Sequence, residues 1–421
     1  MMRAIAAAII ALGLTGAASA AETERENPLA RLPSKPGPHV AKIAALGDNA
    51  WLSLGRPTAD PKWGVARGRA WGGRALTAAP DLGGAFFCGE GVHAYVKPDG
   101  YYMCDLWFYD RNVNRWLCLY PGVHVKTVKL RLDEHGFEVN ERGEHTPIAF
   151  LGHAYGSTTY DSDLRKYVVI YANICYVNAR IKQRQEWLGV PPEKRGRIYA
   201  IGNLNSRAKH PLFWDVASGK WERRFVQAPG GFDHSREDGV AQYIPPLKKT
   251  LFAIRDQVWL YDYQANKWTG SAKTGCPLKG YENGCYDSKR NRLYVARGKQ
   301  FAWLDIATLR WTEVKAPGQP EKFNSTNTVC LNYDSANDVI LYHENRKHRT
   351  RGFVSIYDIA ADKWITPAHS FPGECDGRAA MVQSFYAPGP NAHFFYLAND
   401  SSTAPGIMLA YRYKNAKKEN Q

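Results

Sequence analysis

Hydrophobic and polar positions alternate along most of this chain, in short runs separated by turns. Five of the runs end in an aspartate that is followed six residues later by a tryptophan, which opens the next run. The pairs are Asp110 and Trp116, Asp215 and Trp221, Asp262 and Trp268, Asp305 and Trp311, and Asp358 and Trp364. Alternation on both sides of a tight turn predicts a β-hairpin. We therefore expect five copies of one hairpin.

A second kind of hairpin, with a tyrosine just before its turn, precedes most of the Asp/Trp hairpins. The tyrosines are Tyr160, Tyr243, Tyr286 and Tyr333, and Tyr386 opens one further, incomplete unit. Residues 75–87 take the place of this hairpin ahead of Trp116. A unit of roughly 40 to 50 residues with four strands is typical of a β-propeller blade.

The last unit has a third strand at 407–413 but no fourth strand after it. Near the other end of the chain, Trp51 opens an alternating run that belongs to no unit. We therefore predict an all-β protein, a single six-bladed propeller of four-stranded antiparallel blades, closed by the N-terminal strand. One long interval between units contains an extra hairpin at 125–132 and 137–139, so a seven-bladed ring is the alternative.

The inner turns at Tyr160-Asp161 and Tyr286-Asp287, with the outer turns that end in tryptophan, resemble the repeat of kelch-type β-propellers. This superfamily includes the central domain of galactose oxidase. The resemblance covers about 51–413, although most units lack the Gly-Gly pair expected at the end of a kelch second strand. It implies a scaffold, with a general similarity to propeller polysaccharide lyases, and it implies no particular chemistry.

The first 20 residues predict a secretory signal peptide. Arg3 precedes an apolar run, and Ala18-Ser19-Ala20 fits the small-x-small cleavage pattern. We expect a secreted or periplasmic protein with a loose leader at 21–48, the propeller at 49–414 and a basic, polar tail at 415–421. No later stretch is long and apolar enough to predict a transmembrane segment.

The chain is basic, with 55 Lys and Arg against 40 Asp and Glu and a net charge of +15. A basic secreted protein suits an acidic polysaccharide or another anionic envelope ligand, and secretion disfavours nucleic acid. No Cys/His spacing matches a zinc site, so we expect no cofactor, although the sequence leaves open a metal ion in the channel. We expect a monomer.

Arginine, histidine and tyrosine are concentrated where the loops of a propeller would meet one end of its channel. His153 lies seven residues before Tyr160, and Arg236 lies seven before Tyr243, so the two share a register. The segment at 171–210 is an unusually long, basic connection between a second and a third strand. The predicted substrate-binding residues are Arg236, Arg378, His234, Tyr281, Arg197, Arg207, His343 and Arg346.

Cleavage of a uronate polysaccharide by β-elimination needs a cation for the carboxylate, a base and an acid. Arginine suits the first role, and histidine and tyrosine suit the others, so His153 and Tyr155 are the predicted catalytic residues. Acidic residues show no paired spacing of the kind that glycoside hydrolysis requires. The sequence thus predicts an acidic-polysaccharide binder with possible lyase activity. A non-catalytic kelch-like ring that binds a glycan or a protein is the alternative.

Overall fold

Short antiparallel strands account for most of the described chain, with one α-helix, α1 (Pro38–Ala44). The structure, a computed structural model, describes residues 27–68, 76–88, 105–122, 124, 131–132, 138–139, 143–144, 156–170, 191–194, 210–227, 229, 239–271, 273–280, 283–323, 329–344, 353–367, 381–398 and 406–415. Strand β1 (Ala50–Gly55) follows the helix.

Six sheets of four antiparallel strands form the blades. Blade 1 contains β2 (Leu76–Ala79), β3 (Gly84–Phe87), β4 (Leu106–Asp110) and β5 (Arg115–Tyr120). Strands β6 (Arg131–Leu132) and β7 (Glu138–Val139) come next, and blade 2 contains β8 (Thr158–Asp161), β9 (Lys166–Val169), β10 (Leu212–Asp215) and β11 (Lys220–Arg223). Blade 3 contains β12 (Val240–Ile244), β13 (Lys249–Ile254), β14 (Gln257–Asp262) and β15 (Lys267–Ser271).

The remaining blades repeat this order. Blade 4 contains β16 (Gly284–Asp287), β17 (Arg292–Arg297), β18 (Gln300–Asp305) and β19 (Arg310–Val314). Blade 5 contains β20 (Val329–Asp334), β21 (Val339–Glu344), β22 (Phe353–Asp358) and β23 (Lys363–Ile365). Blade 6 contains β24 (Met381–Ala387), β25 (Ala392–Ala398) and β26 (Ile407–Arg412), with β1 as its fourth strand.

The ring is closed by the N-terminal strand, as predicted. Strand β1 pairs antiparallel with β26, with Trp51 opposite Tyr411. The six-bladed prediction is confirmed, and the seven-bladed alternative is wrong. Among the described residues, strands β6 and β7 pair only with each other, in a two-stranded sheet within the long interval between blades 1 and 2.

The repeated Asp/Trp pattern reflects one type of hydrogen-bonded turn between the third and fourth strands. The aspartate that ends a third strand accepts a backbone N–H from the turn, as Asp262 Oδ1 does from Ala265 N at 2.9 Å. Asn266, just before the tryptophan, has a φ of 47° and accepts the hydroxyl of Tyr261 at 2.7 Å. Asparagine and aspartate tolerate this left-handed conformation and bond to their own turn. The aspartate and a residue of positive φ four positions later recur in five blades, which is why the repeat is visible in the sequence.

The hydrophobic core lies between neighbouring blades. Trp116 of blade 1 is fully buried and meets Tyr396 of blade 6 with ring centroids 5.0 Å apart. Between blades 4 and 5, Trp364 meets Phe301 at the same distance. Trp311 differs from the other blade tryptophans because it is only partly buried, and its indole N–H donates to Thr274 Oγ1 at 3.0 Å.

The leader is not loose from Asn27 onward. Asn27 Nδ2 donates to Val216 O in blade 2 at 2.6 Å, and Leu29 is buried in the cluster between blades 1 and 2. Further along, Gly37 N donates to Asn112 O in blade 1 at 2.7 Å. The segment therefore contacts the turns of blades 2 and 1 before it enters blade 6, and these side-chain and backbone contacts hold it in place.

Candidate functional site

The inner strands β2, β8, β12, β16, β20 and β24 surround a central cavity of about 260 Å³. Of the described residues that line it, none carries a charged side chain. Besides four of the inner tyrosines, the polar ones contribute hydroxyls and amides, from Thr77, Thr158, Thr159, Gln242, Ser288, Asn332 and Ser335. Such a lining offers hydrogen bonds to uncharged hydroxyl groups. None of these residues was among the site residues predicted from the sequence, although several lie next to the inner tyrosines, which the repeat identifies.

Several of these polar groups also hold adjacent blades together. The hydroxyls of Thr77 and Thr158 lie 3.1 Å apart across blades 1 and 2. Asn332 Nδ2 donates to Ser384 Oγ at 2.7 Å across blades 5 and 6. Their side-chain positions are therefore fixed before any ligand arrives, which reduces the entropy cost of binding.

The inner tyrosines form a girdle at the turn end of the channel. Tyr160 OH in blade 2 donates to Asp81 Oδ2 in blade 1 at 3.0 Å. Burial first, and then nearby carboxylates, raise the pKa of Tyr160 and of Tyr333 well above the usual value. These phenols stay protonated at neutral pH, so they act here as hydrogen-bond donors and do not serve as bases.

Most of the predicted site residues lie outside the described residues. These are His153, Tyr155, Arg236, Arg378, His234, Tyr281, Arg197, Arg207 and Arg346. Their places in the chain can still be related to described strands, since His153 precedes β8, Arg236 precedes β12 and Arg378 precedes β24. The inner strands of a propeller run along the channel in one direction, so we keep the prediction that these residues meet at its loop end.

His343 is the one predicted site residue within the described part of the chain, and its location requires a correction. It lies inside strand β21 and not in the loop that follows. Its side chain is completely buried, with its ring centroid 5.1 Å from that of Phe395 in blade 6. Burial lowers its pKa to about 3, so the imidazole is neutral. It belongs to the core between blades 5 and 6, because β21 continues to Glu344 and His343 is therefore a strand residue rather than a loop residue.

The buried histidine predicts acid sensitivity. Between its usual pKa of 6.5 and its folded value of about 3, His343 takes up a proton only when the protein unfolds. The free energy of unfolding should therefore fall as the pH drops through this window, by up to about 1.4 kcal/mol per pH unit from this group. Urea unfolding at several pH values should show a shallower dependence in His343→Gln. Other groups titrate alike in both proteins, so identical slopes would contradict the prediction.

No group of three or more His, Cys, Asp or Glu side chains is arranged to hold a metal ion in the described part of the chain. Among the helices that the structure describes, none has the length and apolar character needed to cross a membrane.

No protein-family model matches this chain, and a search of curated protein sequences finds no significant match. The class of protein that the fold defines is the six-bladed β-propeller, a ring that suits either binding or catalysis. The resemblance to kelch-type propellers rests on the sequence repeat alone.

Proposed function

We propose that this protein is a secreted propeller that binds an acidic, uronate-containing polysaccharide at the loop end of its channel. The observation that carries the proposal is the location of two basic connections. They join the second and third strands of blades 2 and 5, at 171–209 and 345–352, and hold eight and four Lys or Arg residues respectively. The first holds two glutamates and the second holds no acidic residue.

The order of the blades supports the same proposal. Blades 2 and 5 are three steps apart in a ring of six, so they stand on opposite sides of the channel. Both connections leave their blades at the same end, because each follows a second strand. A polyanion lying across the channel mouth would meet positive charge on both sides, which favours an extended chain over a small ligand. The predicted signal peptide would deliver the protein to a compartment in which such polymers occur.

Arginine gives this binding its specificity for carboxylates. Its planar guanidinium donates two parallel N–H bonds to a carboxylate, and Arg236 and Arg378 are the residues we assign to this role beside the inner strands. The uncharged hydroxyl and amide lining of the cavity below suits the hydroxyl groups of a sugar. The proposed ligand is therefore an acidic polymer that also presents neutral hydroxyls.

Binding can be tested with the mature protein, residues 21–421, and immobilised polygalacturonate, with dextran as the neutral polymer. Arg236→Ala and Arg378→Ala should each weaken binding about ten- to a hundredfold, as expected when a charge-assisted contact is lost. Lys267→Gln is the matched control, since Lys267 is exposed beside a turn at the opposite end of blade 3. Equal affinity for dextran, or an equal loss in Lys267→Gln, would contradict the proposal.

Turnover separates an enzyme from a binding ring. If the protein is a lyase, His153 removes a proton and Tyr155 protonates the leaving oxygen. The His153→Ala variant should then still bind polymer while forming no unsaturated product. The ultraviolet absorbance of an unsaturated uronate measures that product directly. If the unchanged protein binds the polymer but forms no such product, the protein is a non-catalytic glycan-binding ring.

A further inference from the structure

The tyrosine girdle is interrupted at one blade. Alignment of the six inner strands on their turns places a tyrosine at the same position in five of them, at Tyr160, Tyr243, Tyr286, Tyr333 and Tyr386. In blade 1 this position is Ala78, which pairs with Ala85 in the same way that Tyr160 pairs with Tyr167. The interruption therefore lies at the junction of blade 1 with blade 6, next to the place where the ring closes.

The partners of the missing tyrosine are also absent there. At other junctions the phenol meets an acidic residue in the inner turn of the preceding blade, as Tyr160 meets Asp81 and Tyr386 meets Asp334, although Tyr286 donates to Asn291 of its own blade instead. The corresponding turn of blade 6 has no acidic residue at either position. Ala387 takes the place of Asp334, and Gly389 takes the place of Asp81. A Cβ atom built on Gly389 would meet nothing within 4 Å, so this side of the turn faces open space.

The two absences leave a recess of about 60 Å³ at this junction. It is lined by Ala78, Pro80, Arg111, Phe385, Ala387 and Gly389, among others. Ala78, Pro80 and Phe385 also line the central cavity, so the recess is a side extension of the channel. A water molecule needs about 10 to 15 Å³ of such volume, so the recess has room for a carboxylate group.

Arg111 is the one charged residue among the described residues that line the recess. Its backbone is held in place from both sides, since Arg111 N donates to Gly83 O at 3.2 Å and His39 Nε2 donates to Arg111 O at 2.8 Å. Its guanidinium donates to Asn112 Oδ1 at 3.3 Å. Within the described chain, no carboxylate lies within ion-pairing distance of it. The cation therefore retains donors for an anion.

Partial burial of Arg111 also favours the binding of an anion. Loss of solvent lowers the pKa of Arg111 from its ordinary value, while Tyr109 and Asp110 act in the opposite direction. An arginine remains charged under all such conditions, and a partly desolvated guanidinium gains more from an anion than an exposed one does. The recess thus combines one positive charge with apolar walls and opens into a hydroxyl-lined cavity.

We infer that the recess and the adjoining channel bind a small sugar acid, with its carboxylate at Arg111 and its hydroxyls against the channel lining. The size of the recess suits the carboxylate alone, and the larger cavity suits the uncharged body of the molecule. This site lies at the turn end of the channel and uses none of the loop residues, so it goes beyond the polymer site and can succeed or fail independently of it.

The other five blades show which side chain would close the recess, because each carries a tyrosine at the position of Ala78. Ala78→Tyr should fill the recess as in the other blades. Gly389→Asp should place an internal carboxylate beside Arg111, in open space, and Arg111→Gln should remove the charge with little change in length. Lys267→Gln again serves as the control for a charge lost elsewhere at the turn end.

Saturation-transfer nuclear magnetic resonance with glucuronate and glucose as probes measures the outcome. Glucuronate should bind the unchanged protein about tenfold or more tightly than glucose, and Arg111→Gln and Gly389→Asp should each remove that preference. Ala78→Tyr should abolish glucuronate binding, and Lys267→Gln should leave it unchanged. The inference is overturned if the unchanged protein shows no preference for glucuronate, or if the preference persists in both Arg111→Gln and Gly389→Asp, whether or not Ala78→Tyr folds.

Discussion

Deletion of residues 21–56 is expected to remove most of the stability of the protein. The deletion leaves β26 as an unpaired edge of blade 6 and strips Trp51 from Tyr411 and Phe395, whose ring centroids lie 4.5 and 5.2 Å from its own. It also removes two carbonyls, of Ala44 and Leu46, that bind the buried guanidinium of Arg412 at 3.0 and 2.6 Å. An exposed edge strand favours aggregation.

The loss should be comparable with the whole stability of an ordinary domain, about 5 to 15 kcal/mol. Thermal unfolding and light scattering of the truncated protein measure both effects. A matched control appends residues 48–56 after Asn415 of the truncated chain. Asn49 N already donates to Tyr413 O at 2.9 Å, so the restored strand can follow β26 as a short hairpin. If the truncated protein melts at the same temperature as the full chain, closure contributes nothing to its stability.

Trp268→Ala is expected to lower the free energy of unfolding by about 3 to 5 kcal/mol, the range for large aromatic residues in a core. Trp268 is buried in the cluster between blades 2 and 3 and packs against Tyr261 with ring centroids 5.2 Å apart. Its removal leaves a cavity that two rigid sheets cannot close. Denaturant unfolding measures the change, with circular dichroism to confirm that the sheet content is kept.

Trp311→Ala is the matched control for this cavity, since Trp311 occupies the same turn position in the next blade but is only partly buried. We expect Trp311→Ala to lower the free energy of unfolding clearly less than Trp268→Ala does. The reason is that folding removes less apolar surface of Trp311 from water. Equal costs would mean that the turn itself, rather than packing between blades, is what the tryptophans stabilise. Loss of polysaccharide binding in a fully stable Trp268→Ala protein would argue for a ligand role instead.

The candidate site was predictable only in part. A repeated turn shows where every inner strand begins and ends, so the sequence assigns His153, Arg236 and Arg378 to the start of inner strands. Which side chains are buried could not be predicted in the same way, as His343 shows. Strand β21 continues to Glu344, so the side chain of His343 lies in the core, and strand ends predicted from sequence are uncertain by about two to four residues.

The four strands of each blade and the closure by the N-terminal strand follow from the amino-acid sequence itself, which left the number of blades at six or seven. In five blades the turn after the third strand is the same, with an aspartate that accepts backbone N–H groups and a residue of positive φ four positions later, so the requirement is local and recurs with the repeat. Only the tertiary structure decided what the turns bring together. Arg412 binds Ala44, 368 positions away, and Ala78 faces Gly389 across the junction of the first and last blades. Such contacts depend on how the ring closes, and no periodic pattern along the chain encodes them.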